Sequence, residues 1–277
     1  MASDYRNAEK STLPYAIDLV KQSGVASTAG QPLAILDQAC GTGVVAVALH
    51  DALGSQSEKD WRLTCTDVSS SMVAAIQERI EKNGWENTDA AVSDILKTGF
   101  PEDQYTHIFG AFNKSVFMAL PDSQAALDEA LRILKPGGTI AIVCWGSFGW
   151  IDHVNAAAAL LPGNLPQIST KDFMRAMGDG MWEDPTWVKT QFQNRGLNEV
   201  QVTSVGKTIA QGISEVSALL KGPLNFIKSR FWTEKQRQQS GAQFAPALAQ
   251  HLEDLYGKGN QMEINSTGII ATGRLPH

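Results

Sequence analysis

Three acids and two glycines in this chain have the types and spacing to build one binding site. Asp37, Gly41 and Gly43 fall within a single short stretch, Asp37-Gln38-Ala39-Cys40-Gly41-Thr42-Gly43, and Asp67 and Asp94 follow at intervals downstream. The run Leu33-Ala34-Ile35-Leu36 before them reads as a short buried strand. Val44, Val45, Val47, Ala48 and Leu49 after them read as a helix. The local pattern is therefore strand, tight turn, helix N-terminus. Gly41 and Gly43 lack a Cβ, so a ligand can approach the backbone closely. The unpaired N–H groups of the helix's first turn favour a negative ligand group.

The ligand has to be compatible with Asp37. Gly41-x-Gly43-x-x-Ala46 fits a dinucleotide fingerprint, with Asp67 following 24 residues beyond Gly43. A diphosphate over this turn would meet a carboxylate at the tip of the first strand and be repelled. S-adenosylmethionine (SAM) has no phosphate. It carries an ammonium, a sulfonium and one carboxylate, so the acid suits its positive groups and the helix N-terminus its carboxylate.

On these residues the chain resembles the class I SAM-dependent methyltransferases. Asp37 to Gly43 is similar to their first motif, with Ala39 where a first glycine is usual. Leu63 to Ser69 resembles the second strand, Ser93-Asp94-Ile95 the adenine-contacting position, and Tyr105 to Phe112 the fourth strand. Leu131 to Gly138, followed by Thr139 to Trp145, resembles the helix, turn and fifth strand. The resemblance implies a Rossmann-like α/β fold with a mostly parallel seven-stranded sheet, an antiparallel last strand, helices on both faces and a helical lid insert. It implies SAM as cofactor and S-adenosylhomocysteine as product. Asp67 would accept from the ribose hydroxyls and Asp94 from the adenine amino group. Ile95, Val68 and Met72 would pack on the ring, although Met72 fits a helix core equally well. Ala39 and Cys40 complete the loop, Tyr15 would close over the cofactor, and Phe112 and Asn113 would stand at the C-terminal edge of strand four.

A narrower resemblance rests on Ser23-Gly24-Val25-Ala26, Asp37-Gln38-Ala39-Cys40-Gly41, Pro162-Gly163-Asn164-Leu165-Pro166 and Phe231-Trp232-Thr233-Glu234. These phrases are similar to those of fungal secondary-metabolite methyltransferases of the gliotoxin bis-thiomethyltransferase type. Such enzymes methylate both thiols of a reduced epidithiodioxopiperazine. Related fungal enzymes methylate oxygen or nitrogen, so the acceptor atom stays open. A SAM-binding protein without methyl transfer and an NAD-dependent dehydrogenase are the readings from other classes.

The elements that must position these residues follow from composition and periodicity. A chain of 277 residues, 43% hydrophobic, suffices for one large α/β domain spanning 1–277. Residues 1–29 read as a helical cap and 30–146 as the SAM-binding core. Residues 147–195 and 213–257 read as substrate-side or lid segments, and 197–206 with 265–273 as a terminal hairpin. Helix breaks are expected at Pro223 and Pro246. No clear periodicity is visible over 146–184. A net charge of −6 argues against a nucleic-acid substrate, and the absence of a long apolar run argues against a membrane span. The polar start Met1-Ala2-Ser3-Asp4 points to a cytoplasmic protein. Three cysteines in no ligand spacing point to free thiols and no metal. Whether the chain is a monomer or a dimer is left open.

No catalytic constellation stands out. His153, after strand five, could reach an acceptor as a base or could simply be a surface histidine. His107 lies within strand four and reads as a core residue. Trp145, Phe148, Trp150 and Trp182 could line an apolar pocket for a ring-containing acceptor. The lack of an evident base fits a thiol or amine, because a thiol's unperturbed pKa lies near ~8.5.

Overall fold

The computed structural model describes residues 2–28, 32–54, 60–111, 120 and 122–277, with side chains from residue 9 onward. Among these, seven strands form one sheet in the order β3-β2-β1-β4-β5-β7-β6. They are β1 (Leu33–Gln38), β2 (Trp61–Asp67), β3 (Thr88–Val92), β4 (Tyr105–Ala111), β5 (Leu134–Ser147), β6 (Asn198–Gly212) and β7 (Gln261–Arg274). The sheet is mostly parallel with one antiparallel strand. In register, Asp37 pairs with Cys65 and Gln38 with both Thr66 and Gly110. The strand order reverses between β1 and β4, so the tip of β1 stands at the switch point where open α/β sheets bind ligands.

The connecting helices follow their sequence signals. They are α1 (Ala2–Ser23), α2 (Val44–Leu53), α3 (Ser70–Asn83) and α4 (Ser123–Ile133). Met72, Val73 and Ile76 give α3 its buried face, and Gly84 ends it at φ 63°, a left-handed C-terminal residue that glycine tolerates well. Asp122 accepts the Ala125 N–H and so caps α4. Later come α5 (Ile151–Ala159), α6 (Thr170–Met177), α7 (Pro185–Asn194), α8 (Ile213–Phe231), α9 (Glu234–Ser240) and α10 (Phe244–Tyr256).

Several boundaries depart from expectation. The segment 146–184 contains α5 and α6. β6 and β7 extend to 212 and back to 261. Pro223 lies inside α8, and Pro246 stands in the first turn of α10, where no intrahelical N–H bond is lost. The chain breaks instead at Trp232, where Thr233 and Gln236 form a capping box that starts α9, and again between Ser240 and Phe244.

The chain divides into two compact units. The first comprises Met1–Gly146, Met177–Val205 and Gly268–His277, and the second Ser147–Ala176 and Gly206–Thr267. Residues 177–195, expected on the substrate side, thus pack within the first unit. Asp179 accepts the Ser123 N–H at 3.1 and 3.2 Å, and the Trp182 indole N–H donates to Ser123 Oγ at 3.0 Å. Both interactions serve the start of α4, whose first-turn N–H groups lack helical partners. His107 is buried in β4, where burial holds its pKa down at about 4, as a neutral core histidine.

Candidate cofactor site and acceptor cavity

The first unit places Asp37, Asp67 and the glycine loop together. Asp37 is 1% exposed, and its Oδ2 has no hydrogen-bond partner. Burial raises its pKa well above the usual carboxylate range. The nearby Asp67 charge adds to this, while the Ala46 N–H in the first turn of α2 opposes it. Asp67 is also buried. Its Oδ2 accepts the Gly41 N–H at 3.0 Å and its Oδ1 the Ser69 N–H at 2.9 Å, tying β2 to the loop. Gln38, an amide within an otherwise apolar strand, is buried with its Nε2 unpaired.

The loop adopts left-handed backbone at Ala39 (φ 49°), Gly41 (φ 55°) and Gly43 (φ 88°). At Ala39 this conformation costs about 1–2 kcal/mol that a glycine would avoid. A Cβ on Gly43 would come within 2.1 Å of Ile76 Cδ1.

At the adjoining strand ends two apolar side chains face outward, Val68 at 70% exposure and Val92 at 59%. They offer a surface on which a flat base can lie. Val92 is a residue that the sequence reading passed over. Asp94 is exposed, with Oδ1 accepting the Leu96 N–H at 2.9 Å, and Ile95 is half-buried beside it. Met72 is buried in α3. Tyr15 is fully buried, edge-on to Trp145 with centroids 5.4 Å apart. Phe112 and Asn113 lie outside the described residues. All three cysteines are buried. The Cys40 and Cys65 thiols share a hydrogen bond. That bond and burial raise the pKa of Cys40. The same bond favours the Cys65 thiolate, yet burial and Asp37 leave its pKa raised. Burial alone raises that of Cys144.

These residues fit SAM better than a dinucleotide. An unpaired, buried carboxylate oxygen beside a second acid suits an ammonium or sulfonium and disfavours a diphosphate. Among the described residues no cluster of His, Cys, Asp and Glu could hold a metal ion, and no helix is long and apolar enough to cross a membrane.

The second unit holds a cavity of about 600 Å³. Ser147, Phe148, Gly149, Gln167, Ser169, Thr170 and Asn265 are among the residues lining it. Beside it, Phe148 stacks on Trp150 with centroids 5.1 Å apart, and Phe173 meets both rings edge-on at 5.7 and 5.2 Å. Phe226 meets Phe173 edge-on at 5.4 Å. Two of the four expected pocket residues, Phe148 and Trp150, thus come together here. Trp145 and Trp182 belong to the first unit, where Trp182 is buried edge-on to Trp187. The polar lining of the cavity, which includes the carboxylates of Asp152 and Asp172 besides the amides and hydroxyls, was not foreseen; apart from Asn265 it comes from the 146–184 segment, where no clear periodicity is visible.

His153 sits on α5. Its Nδ1 is 3.4 Å from His251 Nε2 and its Nε2 is 3.3 Å from the Tyr256 hydroxyl, both partners on α10. Its pKa is lowered by burial and by His251, against Asp152. The ring is neutral at pH 7, and both of its nitrogens already have neighbours within the unit. We expect His153→Gln to keep methyl transfer within about fivefold of wild type, since an essential general base contributes ~10²–10⁴-fold. Initial rates with saturating SAM decide this, and a loss beyond a hundredfold would restore His153 as the base.

A family model described as a methyltransferase domain matches residues 35–138. The chain is 38% identical to the acetylaranotin bis-thiomethyltransferase of Aspergillus terreus, over 99% of this chain and 94% of that protein. It is 35% identical to methyltransferase ktnA of Aspergillus niger, over 99% and 95%. Among solved structures it is similar to a putative methyltransferase from Bacillus halodurans, with a TM-score of 0.55 at 16% identity over 94% of this chain and 99% of that one. With its switch-point acids, glycine loop and mostly parallel sheet, the chain belongs to the class I SAM-dependent methyltransferase family.

Proposed function

We propose that the protein transfers methyl groups from SAM to thiols of a small, ring-containing fungal metabolite, a reduced epidithiodioxopiperazine being the best candidate. The aromatic platform and polar rim of the second unit carry this reading. Phe148, Trp150 and Phe173 offer ring faces and edges, while Gln167, Ser169, Thr170 and Asn265 can hydrogen-bond ring amides. The likeness to a bis-thiomethyltransferase over nearly the whole chain supports a thiol acceptor.

In this reading Asp37 and Asp67 hold the cofactor's positive and hydroxyl groups, and Val68, Val92 and Ile95 bound its base. When bound, SAM supplies an electrophilic methyl. The protein's residues orient the acceptor for an in-line approach, a contribution worth about 7–11 kcal/mol in favourable cases. A thiol with a pKa near ~8.5 is partly ionised at neutral pH, so no base is needed. That agrees with the engaged surroundings of His153.

The test is product mass after incubation with SAM and a panel holding a reduced dithiodioxopiperazine, a simple thiol, a phenol and a secondary amine. Transfer to the dithiol, once or twice, is the expected result. Transfer to the phenol or amine alone would overturn the thiol assignment. Cofactor binding without any product would favour the non-transferring reading.

A further inference from the structure

Gly41 and Gly43 give the cofactor loop room, yet they also leave it free to sample many conformations. Thr42 between them is the residue of this triplet with a side chain to anchor. Its hydroxyl reaches Glu9 Oε1 on α1 at 2.5 Å. A carboxylate only accepts, so Thr42 donates. Glu9 is itself held from a third element: Arg79 Nη2 on α3 lies 2.9 Å from both Oε1 and Oε2. The two charged side chains are only 21% and 18% exposed, and Thr42 is 7% exposed, so solvent competes weakly for these bonds.

From this chain of contacts we infer that Glu9 is a positioning residue for SAM: clamped by Arg79, it fixes Thr42 and thereby holds the Gly41-Thr42-Gly43 turn in its binding-competent shape. Glu9 acts through Thr42 and has no part in the chemistry. The rigid turn avoids an ordering cost that a free glycine turn would incur on binding. It also makes the docking of α1 a condition of cofactor affinity. An acid six residues upstream of Tyr15 has no motif around it, which is why periodicity alone would assign it to a solvated face.

The experiment measures the dissociation constant of S-adenosylhomocysteine by calorimetry for wild type, Glu9→Leu, Thr42→Val, Thr42→Ser and the Glu9→Leu/Thr42→Val double variant. Urea midpoints of the ligand-free proteins are recorded alongside. Leucine is used because the amide oxygen of glutamine would still accept from both Thr42 and Arg79. Glu9→Leu and Thr42→Val should each weaken binding about tenfold. The double variant should be no weaker than about twentyfold, since both changes remove one link. Thr42→Ser keeps the hydroxyl and should stay within twofold of wild type. Three results would overturn the proposal: Glu9→Leu binding within twofold of wild type, a double variant weakened about a hundredfold, or Thr42→Ser as weak as Thr42→Val. If Glu9→Leu does not fold, Arg79→Met, which releases Glu9 without touching Thr42, decides in its place, and binding within twofold of wild type would overturn the proposal.

Discussion

Replacing Asp37 by Asn should abolish useful SAM binding while making the ligand-free protein more stable. Asp37 is almost wholly buried, its Oδ2 is unpaired and Asp67 lies close enough to repel it. Keeping that group ionised at neutral pH opposes folding, and its folded pKa is raised above the unfolded value. Between those two pKa values the folded state binds more protons, so this group's contribution improves as pH falls through the folded pKa and is complete below the unfolded value near ~3.9. Asn keeps the shape and removes the charge. Asn still places a polar atom where Oδ2 stands, so the gain comes only from removing the buried charge and its repulsion by Asp67, and we expect about 1 kcal/mol of added stability at pH 7, the scale of one pKa unit. The pH-dependence due to this group should vanish with it. The same charge is what an ammonium or sulfonium would meet, so affinity for SAM should fall at least about a hundredfold, close to 3 kcal/mol. Thermal unfolding with and without SAM reads both effects, since a ligand raises the midpoint only by binding the native state. A variant that still binds within threefold of wild type would remove Asp37 from the cofactor site.

Gly149→Ala should do the opposite, sparing SAM binding and destroying acceptor use. A Cβ at this position would fall 2.2 Å from the Asn265 carbonyl oxygen, 2.7 Å from its nitrogen and 2.8 Å from its carbonyl carbon. These are backbone atoms of β7 and cannot rotate aside. The Gly149 N–H also donates to Ser266 Oγ at 3.2 Å, so the two segments are held together from both directions. Relief requires the wall of the 600 Å³ cavity to move by roughly an ångström, and a shift of that size can cost about 100-fold in rate. The overpacking itself is worth about 1–3 kcal/mol of stability. Calorimetry with S-adenosylhomocysteine and initial rates with the dithiol separate the two outcomes. Normal rates in Gly149→Ala would place acceptor binding elsewhere.

The core elements were legible because each carries its own punctuation. The apolar run before Asp37 and the Gly84 stop after α3 are local signals read by local rules; Pro136-Gly137-Gly138, expected as a turn ahead of strand five, instead lies inside β5, where the pairing with β4 shifts register between Leu134 and Thr139. The second half was less legible because its breaks arise from capping and packing. Thr233 and Gln236 restart a helix where the prolines suggested a different boundary, and α5 and α6 are short, although Ile151, Val154, Ala157 and Ala158 do give α5 one buried face. In the candidate site, Asp37, Gly41 and Gly43 could be found from one motif and Asp67 from its spacing beyond it. Glu9, Gln38 and Val92 could not, since an acid on a helix, an amide in a strand and a valine at a strand end become informative only through contacts or exposure. Trp182 shows the converse. Its type suggested a pocket, but its indole N–H is used at the start of α4.

The burial of all three cysteines has a chemical consequence under the proposed reading, in which the acceptor is a dithiol. Thiol–disulfide exchange requires an accessible thiolate, and Cys40, Cys65 and Cys144 offer neither access nor low pKa. A dithiol acceptor and its oxidised, disulfide-bridged form could therefore coexist with the folded protein without capturing it as a mixed disulfide. The enzyme would be immune to the reactivity that methylation of its acceptor removes.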